Sequence, residues 1–134
     1  MPPKSYKKDK FYVTSEMLSG YGFTEESIPV SRIADGINAH IDTARMNKIS
    51  HNHITQWLIS LGMLTVVPTS SGKEVKRPTE QGQKLGIFTE RRIGKMGEYD
   101  VNLYNVDAQH FIIDNIDALV THMHYTKKKG DGEE

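Results

Sequence analysis

The sequence predicts an α+β domain in which one amphipathic helix leads directly into a β-hairpin. Across residues 50–61, apolar side chains recur at the i, i+3, i+4 and i+7 positions of a helical period, namely Ile54, Trp57, Leu58 and Leu61. Immediately afterwards, residues 64–67 and 74–77 have the composition of two short strands around a Ser-Ser-Gly-Lys turn. A second strand pair and a long closing helix follow, so the expected architecture is a winged helix-turn-helix with two short β-hairpins.

Two shorter helices are predicted before this unit. The first covers residues 13–21 and ends near Gly20. The second covers about residues 31–41, because Ile33, Ile37 and Ile41 form one apolar stripe. The linker that follows is longer than the three- or four-residue turn of a tight helix-turn-helix.

Single residues mark the ends of the central helix and of the first hairpin. Ser50 is a suitable N-cap, and Gly62 ends the helix. Residues 70–73 form the predicted turn of the hairpin. Pro78 ends its second strand, because proline has no N–H to donate to the ladder.

Three kinds of element are predicted beyond Pro78. A short helix begins after Thr79 as its N-cap, with Leu85 and Ile87 facing inward. Two strands follow around a Gly-Lys-Met-Gly turn, and the second alternates apolar with polar side chains. The closing helix is predicted at about 106–124, capped by Asn105. The predicted strands cover residues 88–93 and 99–104.

Two segments resemble the C-terminal domain of phage antirepressors of the KilAC type. These are HITQWLISLGML, which is followed by a hairpin, and RPTEQGQKLGIF, which is followed by a second strand pair and a closing helix. The resemblance covers roughly residues 30–118. It implies a winged-helix fold and a setting in phage or mobile-element biology.

Composition bounds the domain and its environment. The length of 134 residues suits one domain at 11–125, with a flexible basic tail at 1–10 and a flexible charged tail at 126–134. Seventeen basic residues balance 17 acidic ones, so no global field draws the protein onto nucleic acid. The chain has no cysteine, no apolar run long enough for a membrane span and no signal-peptide pattern. A cytoplasmic location is therefore predicted.

The central helix has a polar face that suits the reading of DNA bases. Asn52, Gln56 and Ile59 lie farthest from the predicted buried face, and Thr55 flanks them. Asn and Gln can pair bidentately with adenine, and the methyl groups of Thr and Ile can contact the thymine methyl. The alternative is an ordinary exposed helix face, with Ile59 as a protein contact.

Basic side chains on both hairpins are predicted to contact DNA phosphates. Such contacts supply affinity and orientation but no sequence preference. The alternative is a surface that only keeps the protein soluble. The predicted phosphate contacts are Lys73, Lys76 and Arg77 on the first hairpin, Arg91, Arg92 and Lys95 on the second, and Lys48 with Arg45 in the linker.

No catalytic, metal or cofactor site is predicted. The pairs His51/His53 and His122/His124 are spaced i and i+2, which places them about 200° apart on a helix and unable to share one ion easily. No phosphate-binding glycine loop or nucleophile motif is present. The protein is therefore predicted not to be an enzyme.

The closing helix predicts a homodimer. Its inner seam consists of Ile112, Ile116, Leu119 and Met123, while Phe111, Ile113 and Val120 widen the apolar stripe beyond one face. A monomer is expected to leave Ile113 and Val120 exposed. A dimer would place two recognition helices on two DNA half-sites. The alternative is that both sides of this helix are buried within one chain.

The function predicted from these patterns is that of a DNA-binding or DNA-associated regulator from a phage, a mobile element or its host. The alternative is a winged-helix adaptor that binds protein and makes no direct contact with DNA.

Overall fold

A computed structural model describes the backbone of residues 9–132 and the side chains of residues 9–125. These residues form a mixed α+β fold with five helices and two separate two-stranded antiparallel sheets, which confirms the α+β prediction. The elements in chain order are α1 (Val30–Asn38), α2 (His51–Ser60), β1 (Leu64–Pro68), β2 (Glu74–Pro78), α3 (Glu80–Leu85), β3 (Ile87–Gly94), β4 (Gly97–Tyr104), α4 (Val106–Asp114) and α5 (Ile116–Gly132).

The ends of α2 follow the predicted signals. The backbone N–H of Ser50 donates to Nδ1 of His53 at 3.0 Å, which satisfies the N-cap donor from within the first turn. After the helix, Gly62 adopts a φ of 81°, a left-handed conformation that favours glycine. The backbone N–H of Met63 then bonds to the carbonyl of Leu58 at 2.9 Å. The chain therefore leaves α2 directly into β1.

The first hairpin, β1–β2, pairs Leu64 with Pro78 at its base and Pro68 with Glu74 at its far end. Of the β1 residues, Leu64 is buried and the remaining four are exposed. The Thr69 N–H and hydroxyl both donate to the Lys73 carbonyl, at 2.8 and 2.7 Å, and thereby close the turn. The hairpin is thus anchored at its base, β1 is exposed beyond Leu64, and four of the five β2 residues are half-buried.

The second hairpin, β3–β4, pairs Ile87 with Tyr104 at its base and Gly94 with Gly97 at its tip. Paired residues share a face of the ribbon, so Arg91 and Asp100 lie on the same side as Thr89 and Asn102. The base is buried, whereas residues 88–100 are exposed on both sides. This hairpin therefore projects from the domain as a two-stranded arm.

One core joins the helices to the bases of both hairpins. It combines the apolar stripe of α1, the inner face of α2 and the predicted seam of the closing helix. Trp57 is 3% exposed and belongs to this core, as predicted. Fully buried members include Ile33, Ile37, Ile54, Leu58, Ile112, Ile116 and Leu119.

Residues 13–21 differ from the prediction because they form a turn instead of a helix. Phe11 and Val13 are buried with an exposed residue between them, which is the spacing of an extended segment. The Leu18 N–H donates to the carbonyls of Thr14 and Ser15. The segment does not continue as an α-helix beyond this turn. The apolar residues of this segment enter the core from an extended strand and a turn.

The closing helix also differs, because it is divided into α4 and α5 at Asn115. The Asn115 side chain donates to the Phe111 carbonyl at 2.8 Å, and its backbone leaves the helical region at φ −110° and ψ 28°. Asparagine side chains compete in this way with the helical ladder. The break interrupts the predicted continuous helix for one residue, between Asp114 and Ile116.

The predicted tails are only partly described. Asp9, assigned to the basic tail, bonds through its backbone to Arg45 at 2.8 Å and to Asn47 at 2.9 Å, so it belongs to the fold. At the other end, α5 extends to Gly132 through the predicted charged tail. Residues 1–8 and 133–134 lie outside the described residues.

Candidate nucleic-acid interface

The exposed face of α2 presents Asn52 and Gln56 as helix geometry predicts. Both side chains are exposed, and His51 and His53 lie beside them in the first turn. The core holds the opposite face through Ile54 and Leu58. A rigid helix therefore carries two amides on its open surface.

Two residues predicted for this surface are placed differently. Thr55 is only 5% exposed, and its hydroxyl donates to the Asn52 carbonyl at 3.1 Å, so it cannot present its methyl group to a base. Ile59 is half-buried and packs against the core. The wide apolar stripe of α2 explains both corrections, because its buried face extends farther around the helix than the spacing of Ile54 and Leu58 predicted.

Lys76 of β2 connects the first hairpin to α2. Its ammonium donates to Thr55 Oγ1 at 3.0 Å and to Asn52 Oδ1 at 3.3 Å. Both acceptors are neutral. Among the side chains of residues 9–125, no carboxylate lies within ion-pair distance of Lys76. Its positive charge is therefore held beside the amide of Asn52 without a counter-charge.

Three arginines predicted as phosphate contacts form ion pairs within the chain. Arg77 binds Asp100 at 3.0 Å, and Arg91 binds both Asp100 at 3.1 Å and Glu98 at 2.8 Å. Arg92 binds Glu90 on its own strand at 2.8 Å. These carboxylates reduce the positive potential that the arginines can offer to DNA.

The arginines of the second hairpin stay charged in these pairs. The hydrogen bond to Glu98, followed by the charge of Asp100, raises the pKa of Arg91, and the hydrogen bond to Glu90 raises the pKa of Arg92. Both side chains remain accessible, with exposed fractions of 64% and 43%.

Four of the predicted basic contacts stay at the surface, namely Arg45, Lys48, Lys73 and Lys95. All four are exposed, and they form no ion pair with side chains of residues 9–125. Lys73 lies in the turn of the first hairpin and Lys95 in the turn of the second. Each hairpin thus carries one lysine at its tip.

A cleft of about 440 Å³ lies where α1, α2 and the two hairpins meet. Four elements line it: Pro29, Val30 and Ser31 from the start of α1, His51, Asn52 and Thr55 from the start of α2, Lys76 from β2, and Asp100, Val101, Asn102 and Tyr104 from β4. The predicted reading face and the first hairpin therefore border one concave surface.

Tyr104 is the residue of this cleft that sequence reasoning missed. It lies on the same face of β4 as Asp100 and Asn102, yet the whole residue is 0% exposed. Its hydroxyl has no hydrogen-bond partner among the described residues, and burial raises its pKa. The available signal was an aromatic residue placed on the polar side of an alternating strand.

The residues predicted for a dimer interface pack in or against the core of their own chain. Ile113 is 4% and Val120 is 5% exposed, so the expectation that a monomer leaves them exposed is wrong. The ring of Phe111 stacks on Trp57, with centroids 5.7 Å apart. Ile113 and Val120 belong to the core of the chain, and Phe111 packs against it. The homodimer remains a prediction, and the exposure of Ile113 and Val120 no longer supports it.

The histidines do not assemble a metal site within the described residues, where no group of three potential ligands is found. Nε2 of His124 instead contacts the Phe11 carbonyl at 2.8 Å, and His110 stacks on Phe23 with ring centroids 3.7 Å apart. Both contacts fix the N-terminal segment to the closing helices.

Comparison of the chain with protein-family models, curated proteins and solved structures found no match. Over the described part of the chain, none of the helices has the length and apolar character needed to cross a membrane.

Proposed function

We propose that this protein is a winged-helix DNA-binding regulator in which α2 reads bases and the first hairpin is the wing. The contact from Lys76 to Asn52 and Thr55 carries the proposal, because it places a wing cation and a reading amide on one surface. The order of α1, α2 and β1–β2 matches the order of helices and wing in that fold.

Lys76 also favours a defined orientation of the Asn52 amide. Oδ1 accepts from the ammonium, so Nδ2 points away from it. An amide oxygen accepts two hydrogen bonds, which leaves Asn52 able to pair bidentately with adenine. A preoriented amide loses less side-chain entropy when it binds.

The proposed phosphate contacts are Lys73, Lys76 and Lys48, whose charges have no carboxylate partner in the described structure. The arginines of the two hairpins contribute less, because each already binds a carboxylate. We further propose a phage or mobile-element setting, which rests on the KilAC-type resemblance.

Fluorescence anisotropy with labelled genomic DNA fragments tests this function. We expect binding at low ionic strength that weakens with salt, with a log–log slope of about 0.9 for each phosphate contacted. Lys76→Met should lower that slope, whereas Lys84→Met, an exposed lysine on α3 outside the cleft, is the matched control. Absence of binding at micromolar protein would contradict the proposal.

A protein-binding adaptor is the second candidate, favoured by the tip of the second hairpin. Ile93 is 82% and Met96 is 100% exposed, and Tyr99 is half exposed beside them. Projecting apolar side chains are typical of protein contacts. The double variant Ile93→Ser with Met96→Ser separates the two functions, since it should leave DNA affinity unchanged if α2 and the wing bind DNA.

A further inference from the structure

The β3 strand of the second hairpin presents an unpaired edge. Both backbone groups of Tyr104 on β4 bond to Ile28, on the side away from β3, with N···O distances of 2.8 and 3.1 Å. In an antiparallel pair of strands, outward-facing residue pairs alternate with hydrogen-bonded ones, so every second pair counted from Tyr104 also faces outward. The backbone groups of Thr89, Arg91 and Ile93 therefore point away from β4, and they have no hydrogen-bond partner among the described residues.

The edge of β4 is covered, whereas the edge of β3 is open. Asn102 on β4 is half-buried and donates to the Lys76 carbonyl of the first hairpin, while its paired residue Thr89 on β3 is exposed. Residues 88–94 of β3 are all exposed, and the register of the hairpin runs through eight pairs without a bulge. Natural edge strands are often protected by proline, lysine or a bulge. Because β3 has none of these, it is a template for the addition of another strand.

The charged side chains of β3 do not repel an incoming strand. Arg91 binds Glu98 and Asp100 of β4, and Arg92 binds Glu90 of β3 itself. The second hairpin as a whole carries three basic and three acidic side chains. Its net charge is therefore zero, which suits a protein strand of balanced charge better than a polyanion.

The tip and the base of the second hairpin complement each other. At the tip, Ile93 is 82% and Met96 is 100% exposed. At the base, a groove of about 650 Å³ opens beside β3 and is lined by Arg77, Pro78, Gln83, Ile87, Phe88 and Thr89. A second copy of the hairpin, laid antiparallel along β3, brings its apolar tip to this groove and receives the first tip in its own groove.

We propose that two copies of the chain pair through β3 about a two-fold axis and join their second hairpins into one continuous antiparallel sheet. Centring the register on Arg91 places Glu90 opposite Arg92 of the second copy on both sides of the axis. Thr89 then faces Ile93 of the second copy, and the outward-facing pairs exchange about six backbone hydrogen bonds. Arg91 faces its own copy, and each Arg91 is already neutralised by two carboxylates. The interface does not include α2, so the proposal is independent of DNA binding.

Analytical ultracentrifugation of the full-length protein tests this dimer. We expect a monomer–dimer equilibrium in which the dimer is present at about 100 µM protein. Thr89→Pro removes an outward-facing N–H without breaking the ladder between β3 and β4, so the dissociation constant of its dimer should rise at least about tenfold. Thr89→Val is the matched control, because it keeps this N–H and loses the same hydroxyl contact to Asn102. It should dimerise like the wild type.

Exchange of charges between two copies tests the register without a change to the backbone. Glu90→Arg gives a chain with arginine at positions 90 and 92, whereas Arg92→Glu gives a chain with glutamate at both. Each variant alone should dimerise several-fold more weakly than the wild type, because like charges then face each other. An equimolar mixture should form a heterodimer at least as tightly as the wild-type homodimer, because each arginine then faces a glutamate.

Circular dichroism shows whether each variant is folded, and if Thr89→Pro does not fold, the charge exchange alone decides. A wild-type monomer at about 100 µM would overturn the proposal and leave the β3 edge to a strand from another protein. Equal dimer dissociation constants for Thr89→Pro and Thr89→Val would place the interface elsewhere on the chain. Unchanged dimerisation of both charge variants, with no preference for the heterodimer, would overturn the register centred on Arg91.

Discussion

Asp100 on β4 binds Arg77 on β2, with 3.0 Å between Oδ2 and Nη2, and this ion pair links the two hairpins. Its other oxygen accepts from Arg91 Nε at 3.1 Å. Next to this pair, the Asn102 side chain donates to the Lys76 carbonyl at 2.8 Å. The position of Lys76 over α2 therefore depends on the second hairpin as well as on the strand that carries it.

We expect Asp100→Asn to loosen the junction between the hairpins. The variant removes the charge from both arginine contacts, but these groups are partly exposed and solvent screens them. The melting temperature should therefore fall by only about 2–5 °C. Thermal unfolding followed by circular dichroism measures this change.

Glu90→Gln is the matched control for Asp100→Asn. It removes an exposed ion pair with Arg92 that lies within one strand and links no separate elements. Its melting temperature should stay within about 1 °C of the wild type. Equal effects of the two substitutions would mean that Asp100 does not stabilise the junction.

Base reading by α2 predicts separate roles for its amides and for the wing lysine. Asn52→Ala with Gln56→Ala should reduce discrimination between DNA sites by roughly 1–3 kcal/mol for each lost bidentate pair. Lys73→Ala should weaken all sequences alike, since a phosphate contact carries no sequence information. Lys73 is the better wing variant because Lys76 also contacts Asn52.

Competition binding with specific and mixed-sequence duplexes at one salt concentration measures both effects. If the Asn52 and Gln56 substitutions weaken binding to all DNA sequences equally, α2 contacts only the DNA backbone.

The elements best predicted from the sequence are those in which local signals agree with the tertiary packing. For α2, the apolar period, the Ser50 cap and Gly62 all indicate the same helix, and the structure places it at His51–Ser60. For residues 13–21, a possible cap and apolar spacing suggested a helix, but Phe11 and Val13 bind the core from an extended segment. Tertiary contacts determine the conformation of residues 13–21, and such contacts leave no pattern in the local sequence.

The candidate site was less predictable than the fold. Lys76 and Asn52 are far apart in sequence, and only the hairpin geometry brings them within 3.3 Å. The ion pairs of Asp100 likewise depend on how two hairpins meet. The unsatisfied hydroxyl of Tyr104 is a property of the assembled core, so composition and spacing cannot reveal it.

Burial of Ile113 and Val120 predicts that charge at these positions disrupts the fold and does not produce a folded monomer. Ile113→Glu or Val120→Glu places a carboxylate in the core, at an expected loss of roughly 3–5 kcal/mol in the free energy of unfolding. Ala118→Glu, at an exposed position of α5, should remain folded.

Chemical denaturation measures these losses, and sedimentation of the wild type at about 100 µM tests the dimer prediction independently. A well-folded Ile113→Glu monomer from a wild-type dimer would show that these side chains serve an interface.

We predict that replacing Gly86 by alanine lowers stability, because Gly86 lies against the Asn105 side chain that caps α4. Its φ is 124°, and a Cβ at this position would collide with the Asn105 side chain. Asn105 Oδ1 caps α4 by accepting from the Ala108 N–H at 2.9 Å. Gly86→Ala therefore combines backbone strain with loss of the cap and should lower the free energy of unfolding by roughly 2–4 kcal/mol.

Gly97→Ala isolates the strain, because Gly97 has a similar φ of 112° and open space around its position for a Cβ. This variant should lose only about 1–2 kcal/mol. Asn105→Ala removes the colliding side chain, so adding Gly86→Ala to that background should cost less than adding it to the wild type, by about 1 kcal/mol or more. Urea denaturation of the four variants measures this coupling, and strictly additive losses would show that Gly86 is required for its backbone conformation alone.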